Sequence, residues 1–252
     1  MNNLNRRDFV RTSATMLGAA AIPTLTGCAA ATNPTAGKQQ LRVLQVGVGG
    51  IGGMDRNQIQ RHPKAEIVGL VDVDSNPLEK VGAQFPDAFT DTDYRKVFAD
   101  RLDEFDAVNV CTPDHSHIGP ILLGLANDKH VYAQKPLVQQ LEELAMLGEA
   151  SKAKPHLSTN TGNQRMQNPG RRIAVDILQK NLLGKAVSAH AWAGTRRGSA
   201  KDFEIPAAKQ PPANIDWDLW LGPASQQPYR DGIAPNKWRA WWDFGTAGLG
   251  AP

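Results

Sequence analysis

Apolar and amphipathic stretches alternate along the chain from residue 41 onward. Most of the apolar stretches are short and rich in Val, Leu and Ile, which is typical of strands buried on both faces of a sheet. They lie at 41–46, 66–71, 105–111, 130–133 and 157–161. Helical patterns lie between them at 52–61, from Pro77 or Leu78, at 93–100, at 118–127 and from Leu141. This alternation predicts an α/β fold with a mainly parallel sheet.

A glycine-rich turn follows the first apolar stretch. Gly47, Gly49 and Gly52 fall at the GxGxxG spacing, and Gly50 and Ile51 stand between the last two. The first glycine permits a tight turn, the second lets the backbone approach a pyrophosphate, and the third lets the next helix pack on the strand. The amino terminus of that helix offers unpaired N–H groups to phosphate. Taken alone, such a turn can also be a turn without a ligand.

An acidic residue stands where a dinucleotide site requires one. Asp72 ends the second apolar stretch, twenty residues after Gly52, where a carboxylate can accept the ribose hydroxyls of NAD. The alternative for Asp72 is a surface residue that caps the next helix. No Arg or Lys follows until Lys80, so a 2′-phosphate would meet an uncompensated carboxylate. The sequence therefore predicts NAD binding in preference to NADP.

Polar residues follow the third apolar stretch as Thr112-Pro113-Asp114-His115-Ser116-His117. The carboxyl ends of strands in an open α/β sheet form the edge where ligands bind. His-x-His plus one Asp resembles a metal site only weakly, because the residues lie on a loop that leads into a helix. Helix capping and contact with the cofactor are the expected roles, and no metal is expected.

The next apolar stretch ends at Gln134-Lys135-Pro136. Lys135 would lie at the same sheet edge as the glycine turn, beside the place where a nicotinamide ring projects. A partly desolvated lysine can act as an acid, or hold a substrate hydroxyl while hydride leaves its carbon. The alternative is a surface lysine before a turn proline.

Composition excludes several classes of protein. The chain has 252 residues and a formal net charge of +3, without a Lys/Arg run that could track phosphates, so we expect no nucleic-acid partner. No apolar stretch after the amino terminus is long enough to span a membrane. Cys28 and Cys111 stand in different contexts, which argues against a disulfide between them.

The amino terminus resembles a twin-arginine export signal over residues 1–27, with Arg6, Arg7 and Phe9 before an Ala-rich run. An amphipathic helix with a chance Arg pair is the alternative. Leu25-Thr26-Gly27-Cys28 also resembles a lipobox, so the expected product is periplasmic and anchored through a lipid on Cys28, or cleaved by ordinary signal peptidase. Residues 28–40 predict a flexible linker. Because this route carries folded proteins, a tightly bound cofactor is expected.

Four motifs together resemble one family. GVGGIG, VDVD, CTPDHSH and YAQKPL occur in the order and spacing of the glucose–fructose oxidoreductase, inositol dehydrogenase and rhizopine-catabolism (Gfo/Idh/MocA) family. The resemblance implies a Rossmann domain, here 41–161, and then an α/β domain with an open, mostly antiparallel sheet that carries substrate contacts and dimerises. It also implies that Lys135 lies at the nicotinamide, and that Thr112, Pro113 and His117 line the cofactor. Gln134, beside Lys135, stands where many members have Glu.

The chain departs from the family pattern after the segment WRAWWDFGT. Family members go on to supply an Asp and a His that complete the acid–base site, and this sequence ends at Pro252 without them. We therefore expect 162–252 to be an incomplete second domain with one clear strand signal at 185–194, and a fragment, a disrupted reading frame or a degenerate binding protein all stay open. Most tryptophans of this region are expected in a core or an interface. A homo-oligomer is compatible with the resemblance, but the domain that forms its interface is incomplete.

The expected function is an NAD-dependent oxidoreductase that acts on a hydroxyl of a sugar, cyclitol or sugar derivative. Lys135 would move the hydroxyl proton, and Gln164 and Arg165, in and beside the GNQ segment, are candidates for contact with the small-molecule substrate. One alternative is a redox-assisted glycosidase of the same superfamily, in which transient oxidation permits elimination and the hydride then returns. Another is a nucleotide-binding remnant without catalysis.

Overall fold

A computed structural model describes residues 40–163, 166, 168–190, 192 and 205–246. The predicted export signal at 1–27, the lipidation site Cys28 and most of the predicted linker lie outside the described residues. So do the substrate candidates Gln164 and Arg165.

Six strands form one sheet in which every neighbouring pair is parallel. Their order across the sheet is β3-β2-β1-β4-β5-β6, which is the doubly wound order of dinucleotide-binding domains. The strands are β1 Leu41–Val46, β2 Ala65–Val71, β3 Phe89–Asp91, β4 Ala107–Val110, β5 His130–Gln134 and β6 Thr159–Gly162. The α/β fold predicted from the alternation is confirmed.

Helices connect the strands and continue after the sheet. They are α1 Ile51–Gln60, α2 Ser75–Gly82, α3 Tyr94–Asp100, α4 Ile118–Ala126, α5 Leu141–Ala153, α6 Pro169–Gln179 and α7 Trp217–Leu221. α2 begins two residues before the predicted Pro77 because the Asp74 side chain accepts a hydrogen bond from the backbone N–H of Asn76 and caps the helix there. None of the helices in the described part of the chain combines the length and apolar character needed to cross a bilayer.

The core lies on both faces of the sheet. On one face, Val46 of β1 and Val110 of β4 pack with Leu122 and Leu125 of α4. On the other face, Leu70 of β2 belongs to a smaller cluster under α2. Burial of these side chains stabilises the sheet, and it fixes the strand ends from which the loops of the candidate site extend.

A separate group of residues packs on the carboxyl edge of the sheet. Residues 214–246, called the cap below, contain α7, the two-residue strand β8 Tyr229–Arg230 and a short helical segment up to Ala240. β8 pairs antiparallel with β7 Ala208–Lys209. This two-stranded sheet is the antiparallel part of the second domain within the described residues, as the resemblance implies in outline.

Aromatic side chains form the core of the cap. Trp217 stacks on Trp220 with ring centroids 4.8 Å apart, and Phe244 meets Trp220 edge-on at 4.7 Å. Trp220 and Trp238 are buried, whereas Trp242 is 85% exposed. The expectation that most tryptophans here serve a core is therefore confirmed for the cap, with Trp242 as the exception.

The strand expected at 185–194 is absent from the described residues of that range, 185–190 and 192. These residues have no regular structure, and Val187 is 91% exposed. A strand needs a neighbour for its backbone hydrogen bonds, and no strand within the described residues lies beside this segment. The prediction was wrong because alternation of apolar residues alone does not supply a pairing partner.

Candidate functional site

A cleft of about 270 Å³ lies at the carboxyl edge of the sheet, between the ends of β1, β2 and β4 and the cap. This is the place where the strand order reverses around β1 and β4, and where open α/β sheets bind ligands. On the sheet side its lining includes Gly47, Gly49, Gly50, Ile51, Asp72 and Thr112. Most of the residues predicted to bind a dinucleotide are thus brought together. The exceptions, which lie outside the lining, are Gly52, His117, Gln134 and Lys135.

Glycine is required at two positions of the turn. Gly47 has φ +89°, and a Cβ there would stand 2.6 Å from the carbonyl carbon of Cys111. A Cβ on Gly52 would overlap the carbonyl oxygen of Gly47. By contrast, nothing lies within 4 Å of a Cβ placed on Gly49 or Gly50, which leaves open space before the amino terminus of α1. The turn therefore fits the pyrophosphate of a dinucleotide.

Two buried polar side chains that the sequence did not single out hold this turn from behind. The Gln45 amide nitrogen donates to the carbonyl oxygens of Gly47 and Gly52 at 3.0 and 2.9 Å. The Arg56 guanidinium donates to the carbonyl oxygen of Val48 at 3.0 Å. A glutamine in an otherwise apolar strand was the signal that could have identified this support, since a buried amide needs partners.

Asp72 fastens the glycine turn and faces the cleft. One carboxylate oxygen accepts the backbone N–H of Val48 at 2.9 Å, and the other accepts that of Asp74 at 3.0 Å. Burial raises the pKa of Asp72, although the backbone hydrogen bonds act in the opposite direction. An acceptor-rich group in this position fits the hydroxyls of a ribose.

Some side chains of the Thr112–His117 loop line the cleft, and others contact the cap. Thr112, Pro113 and Ser116 line the cleft. The Thr112 hydroxyl is buried and has no hydrogen-bond partner, as expected of a group that meets a bound ligand. Asp114 and His115 instead face the cap.

His117 lies beneath the cleft and is not among the residues that line it. Its Nδ1 stands 2.6 Å from the carbonyl oxygen of Pro136, and its Nε2 stands 2.8 Å from that of Thr112. Burial lowers the pKa of His117. The side chain thus ties the loop after β4 to the loop after β5. No group of three His, Cys, Asp or Glu side chains within the described residues is arranged to hold a metal ion.

Lys135 and Gln134 lie at the end of β5, next to β4 in the sheet and outside the cavity lining. Lys135 is half-buried. The Gln134 amide donates to a carboxylate oxygen of Asp55, on α1, at 2.6 Å, and the Cys111 thiol donates to the same oxygen at 3.3 Å. Burial raises the pKa of Cys111, which is therefore a protonated core residue. Asp55 is a further residue of the site that the sequence did not reveal.

The strand order, the glycine turn and Asp72 define a dinucleotide-binding Rossmann protein. Comparison with family models gives the family itself. Residues 41–160 match the NAD-binding Rossmann fold of the GFO_IDH_MocA oxidoreductase family, and residues 185–251 match the C-terminal alpha/beta domain of that family. The chain belongs to the Gfo/Idh/MocA family, as its motifs predicted.

Related proteins are named as dehydrogenases of cyclitols. An inositol 2-dehydrogenase of Rubrobacter xylanophilus is 27% identical over 160 residues, which are 61% of this chain and 44% of that protein. The chain therefore spans less than half the length of this relative.

Solved structures share the fold. The myo-inositol 2-dehydrogenase of Lactobacillus plantarum superposes with a TM-score of 0.54 at 22% identity, over 58% of this chain and 43% of that one. The scyllo-inositol dehydrogenase of Lactobacillus casei, solved with NAD(H) and scyllo-inositol, superposes with a TM-score of 0.54 at 19% identity, over 57% and 42%.

Proposed function

We propose that this chain carries the cofactor-binding part of an NAD-dependent dehydrogenase that oxidises a secondary hydroxyl of a cyclitol, sugar or sugar derivative. The observation that supports this proposal is a shared sheet edge: the cleft lies at the ends of β1 and β4, and Lys135 directly follows the end of the neighbouring β5. The inositol dehydrogenases among its relatives support the substrate class.

In this proposal the glycine turn and Asp72 hold the dinucleotide, and Lys135 handles the proton. NAD, when bound, supplies the two-electron acceptor, so the substrate carbon loses a hydride as its hydroxyl loses a proton. The Lys135 amine receives that proton, which balances the oxidation of CH–OH to C=O. His117 holds the carbonyl of Pro136, next to Lys135, and so restrains the base.

The cofactor is proposed to be NAD rather than NADP, and to be held tightly. Asp72 and Asp74 both line the cleft, so a 2′-phosphate would meet two carboxylates there. Tight retention follows from the expected export of a folded protein, and a tightly held cofactor must be reset within each catalytic cycle.

The test follows the reduction of the bound NAD at 340 nm during a single turnover with each of a panel of inositols and sugars, after the cofactor that co-purifies with the protein has been identified. We expect Lys135→Ala to retain NAD and to lose turnover at least a hundredfold, as loss of a general base implies. Lys152→Ala is the matched control, since Lys152 is an exposed lysine of α5.

Each other result points to a different function. Unchanged turnover by Lys135→Ala would remove that residue from the mechanism. Release of an aglycone from a glycoside without net NADH would indicate the redox-assisted glycosidase. NAD binding without turnover of any substrate by the unsubstituted protein at high concentration would indicate a binding protein.

We further propose export to the periplasm by the twin-arginine route, which rests on Arg6 and Arg7. Cell fractionation of a tagged protein tests this: Arg6→Lys with Arg7→Lys should keep the protein in the cytoplasm. Export of that double variant would contradict the proposal. Labelling with a lipid precursor, compared with Cys28→Ala, tests the anchor.

A further inference from the structure

A second cavity of about 250 Å³ lies between the helices α4 and α5 and the strands β5 and β6. None of the described residues that line it also lines the cofactor cleft. The dinucleotide motifs and the proposed reaction therefore give this second cavity no role.

The inner part of the second cavity is aliphatic. Ile121 and Leu125 of α4 and Val131 of β5 line it, and each of these side chains is at most 5% exposed. All three belong to the largest hydrophobic cluster of the sheet. Protein interiors are close-packed, so a space of this size beside the core costs stability unless something fills it. An apolar molecule in the cavity would supply the missing van der Waals contacts.

The outer part of the second cavity carries hydroxyl groups. Thr159 and Thr161 of β6 pair with Val131 and Ala133 of β5, so the threonine side chains lie on the same face of the sheet as the aliphatic ones. Ser151 of α5 adds a third hydroxyl. None of the described lining residues is charged. A ligand that fits both parts is therefore uncharged and mainly apolar and has a hydroxyl group, because a buried charge without a partner is costly.

The second cavity also adjoins the supports of the loop after β5. Its lining includes Ala133, two positions before Lys135, and Leu137, two positions after it. The helix α4, which forms another wall, begins directly after His117, and the His117 ring stands 2.6 Å from the carbonyl oxygen of Pro136 in the same loop. A molecule in the cavity would thus pack against both the loop and the helix that holds it.

We propose that this cavity is a second ligand site, which takes a small uncharged molecule with an apolar body and a hydroxyl group, and that the bound molecule restrains the loop of residues 135–140. The consequence for catalysis rests on the proposed function, in which Lys135 is the base. The binding itself does not depend on that function. Apolar cavities of proteins bind small molecules such as benzene, and benzyl alcohol adds a hydroxyl group to such a ring.

The experiment titrates benzyl alcohol into the whole chain and follows the methyl signals of Ile, Leu and Val by ¹³C NMR. We expect saturable shifts of the Ile121, Leu125 and Val131 methyl groups, with a Kd of about 1 mM or tighter. Benzoate has the same ring and nearly the same size, but it is an anion. It should bind about tenfold more weakly or worse, because the described lining offers it no positive charge.

Two substitutions that fill the second cavity test where the probe binds. Ser151→Leu adds apolar volume from α5 and should weaken benzyl alcohol about tenfold or more. Ala153→Leu is the matched control, since Ala153 lies in the same helix but is exposed and outside the lining. Thr159→Phe protects the test from a folding failure, because Thr159 is an exposed residue of the last strand of the sheet and an aromatic side chain suits a strand. It should weaken the probe in the same way.

Hydrogen exchange measured by mass spectrometry tests the restraint of the loop. Saturating benzyl alcohol should slow exchange of the backbone amides at 135–140 about threefold or more. Unchanged exchange with the probe bound would overturn the restraint. The same titration with NAD present should give the same methyl shifts, and displacement of the probe by NAD would place it in the cofactor cleft instead.

The site itself is overturned by any of three results: no saturable shift of these methyl groups, equal binding of benzoate, or unchanged affinity in both folded filling variants. Failure of the protein to bind NAD would contradict the proposed function alone, because the titration with benzyl alcohol needs no cofactor.

Discussion

At the scale of single residues, Asp72 links the cofactor cleft to the fold. Its carboxylate accepts two backbone N–H groups, one of them in the glycine turn, and it also lines the cleft. A structural role and a binding role therefore coincide in one side chain. Removal of such a group changes the shape of the turn as well as the ribose contact.

We expect Asp72→Ala to weaken NAD binding about tenfold to a hundredfold, which is the loss expected when hydrogen bonds to a charged group are removed. Affinity for NADP should fall less, so discrimination between the two cofactors should relax. Titration of both nucleotides checks this, and Asp87→Ala serves as the control because Asp87 is exposed and outside the cleft. An unchanged preference for NAD would remove Asp72 from the recognition of ribose.

Gln134 and Asp55 form a buried hydrogen-bonded pair. The amide of Gln134 is a donor to a buried carboxylate, so a glutamate at this position would place two carboxylates against each other. Gln134→Glu should lower the free energy of unfolding by about 1–3 kcal/mol at pH 7, because both groups cannot stay ionised at this distance. Asp55→Asn in the same chain should restore most of the loss, since the asparagine amide can donate to the glutamate.

Urea unfolding of the two single variants and the double variant forms a cycle that isolates this pair. Additive losses would show that the two side chains do not interact. Gln84→Glu is a control for the added charge, because Gln84 is exposed and lies outside this pair.

At the scale of elements, two consecutive residues of the loop after β4 fasten one flank of the cap. Asp114 holds Thr246 and Arg239, and His115 lies between the Trp220 and Phe244 rings, with centroids 4.8 and 5.0 Å away. The segment between Thr112 and His117 thus supplies the docking site of the cap on one flank and the floor of the cleft on the other.

We expect Asp114→Ala to loosen the cap without removing any residue from the cavity lining. Trypsin should then cleave after Lys237 or Arg239 faster than in the unsubstituted protein, and added ADP-ribose should slow this cleavage. Peptide mapping by mass spectrometry gives the cleavage rate at each site. Asp87→Ala again provides a matched control, and equal rates in both variants would contradict the docking role of Asp114.

The contact of His115 with the cap predicts that the stability of the protein depends on pH. Burial lowers the pKa of His115 to about 4, against about 6.5 in an unfolded chain. The folded state therefore favours the neutral ring. The contribution of the neutral His115 ring to the free energy of unfolding is complete above pH 6.5. As the pH falls from 6.5 to 4, this contribution decreases by up to about 1.4 kcal/mol per pH unit.

Urea unfolding followed by tryptophan fluorescence from pH 4.5 to 7.5 checks this dependence. Comparison of the unsubstituted protein with His115→Asn isolates the ring, because the buried His117 titrates in both proteins. The unsubstituted protein should show the steeper loss of stability toward low pH. Equal slopes would show that His115 does not change its protonation on unfolding.

The fold was predictable where local pattern and packing coincide. The strands β1, β2, β4 and β5 are mostly apolar because helices cover both faces of the sheet, so their positions follow from the sequence alone. The strand β3 was not predicted, because its three residues, FTD, are too few and too polar to give an apolar stretch. The cap was not predictable: β7 and β8 are two residues long and α7 has five residues, which is too short for a periodic signal. Its position depends on contacts such as His115 with Phe244, 129 residues apart. Gln45, Asp55 and Arg56 escaped notice because buried polar residues reveal their role only through their partners.

At the scale of the whole molecule, the cap and the sheet share one ligand site, so the cofactor should stabilise them together. NAD present at a hundred times its Kd should raise the free energy of unfolding by about 2.7 kcal/mol. Tryptophan fluorescence reports mainly the cap, and far-ultraviolet circular dichroism reports mainly the sheet and its helices. The two signals should shift by the same amount on addition of NAD, and a shift confined to circular dichroism would show that the cap does not sense the cofactor.

The long separation between the cap and its docking loop also sets an order of events during synthesis. The bonds from Asp114 and His115 to the cap join residues 132 and 129 positions apart. Ribosomes add about 5 to 20 residues per second, so the docking loop precedes the cap by on the order of ten seconds. The sheet side of the cleft thus emerges first and lacks its second wall during that interval. We expect NAD to enter the cleft most easily at this stage. The concentration of NAD around the ribosome would then determine how much of the protein acquires its cofactor.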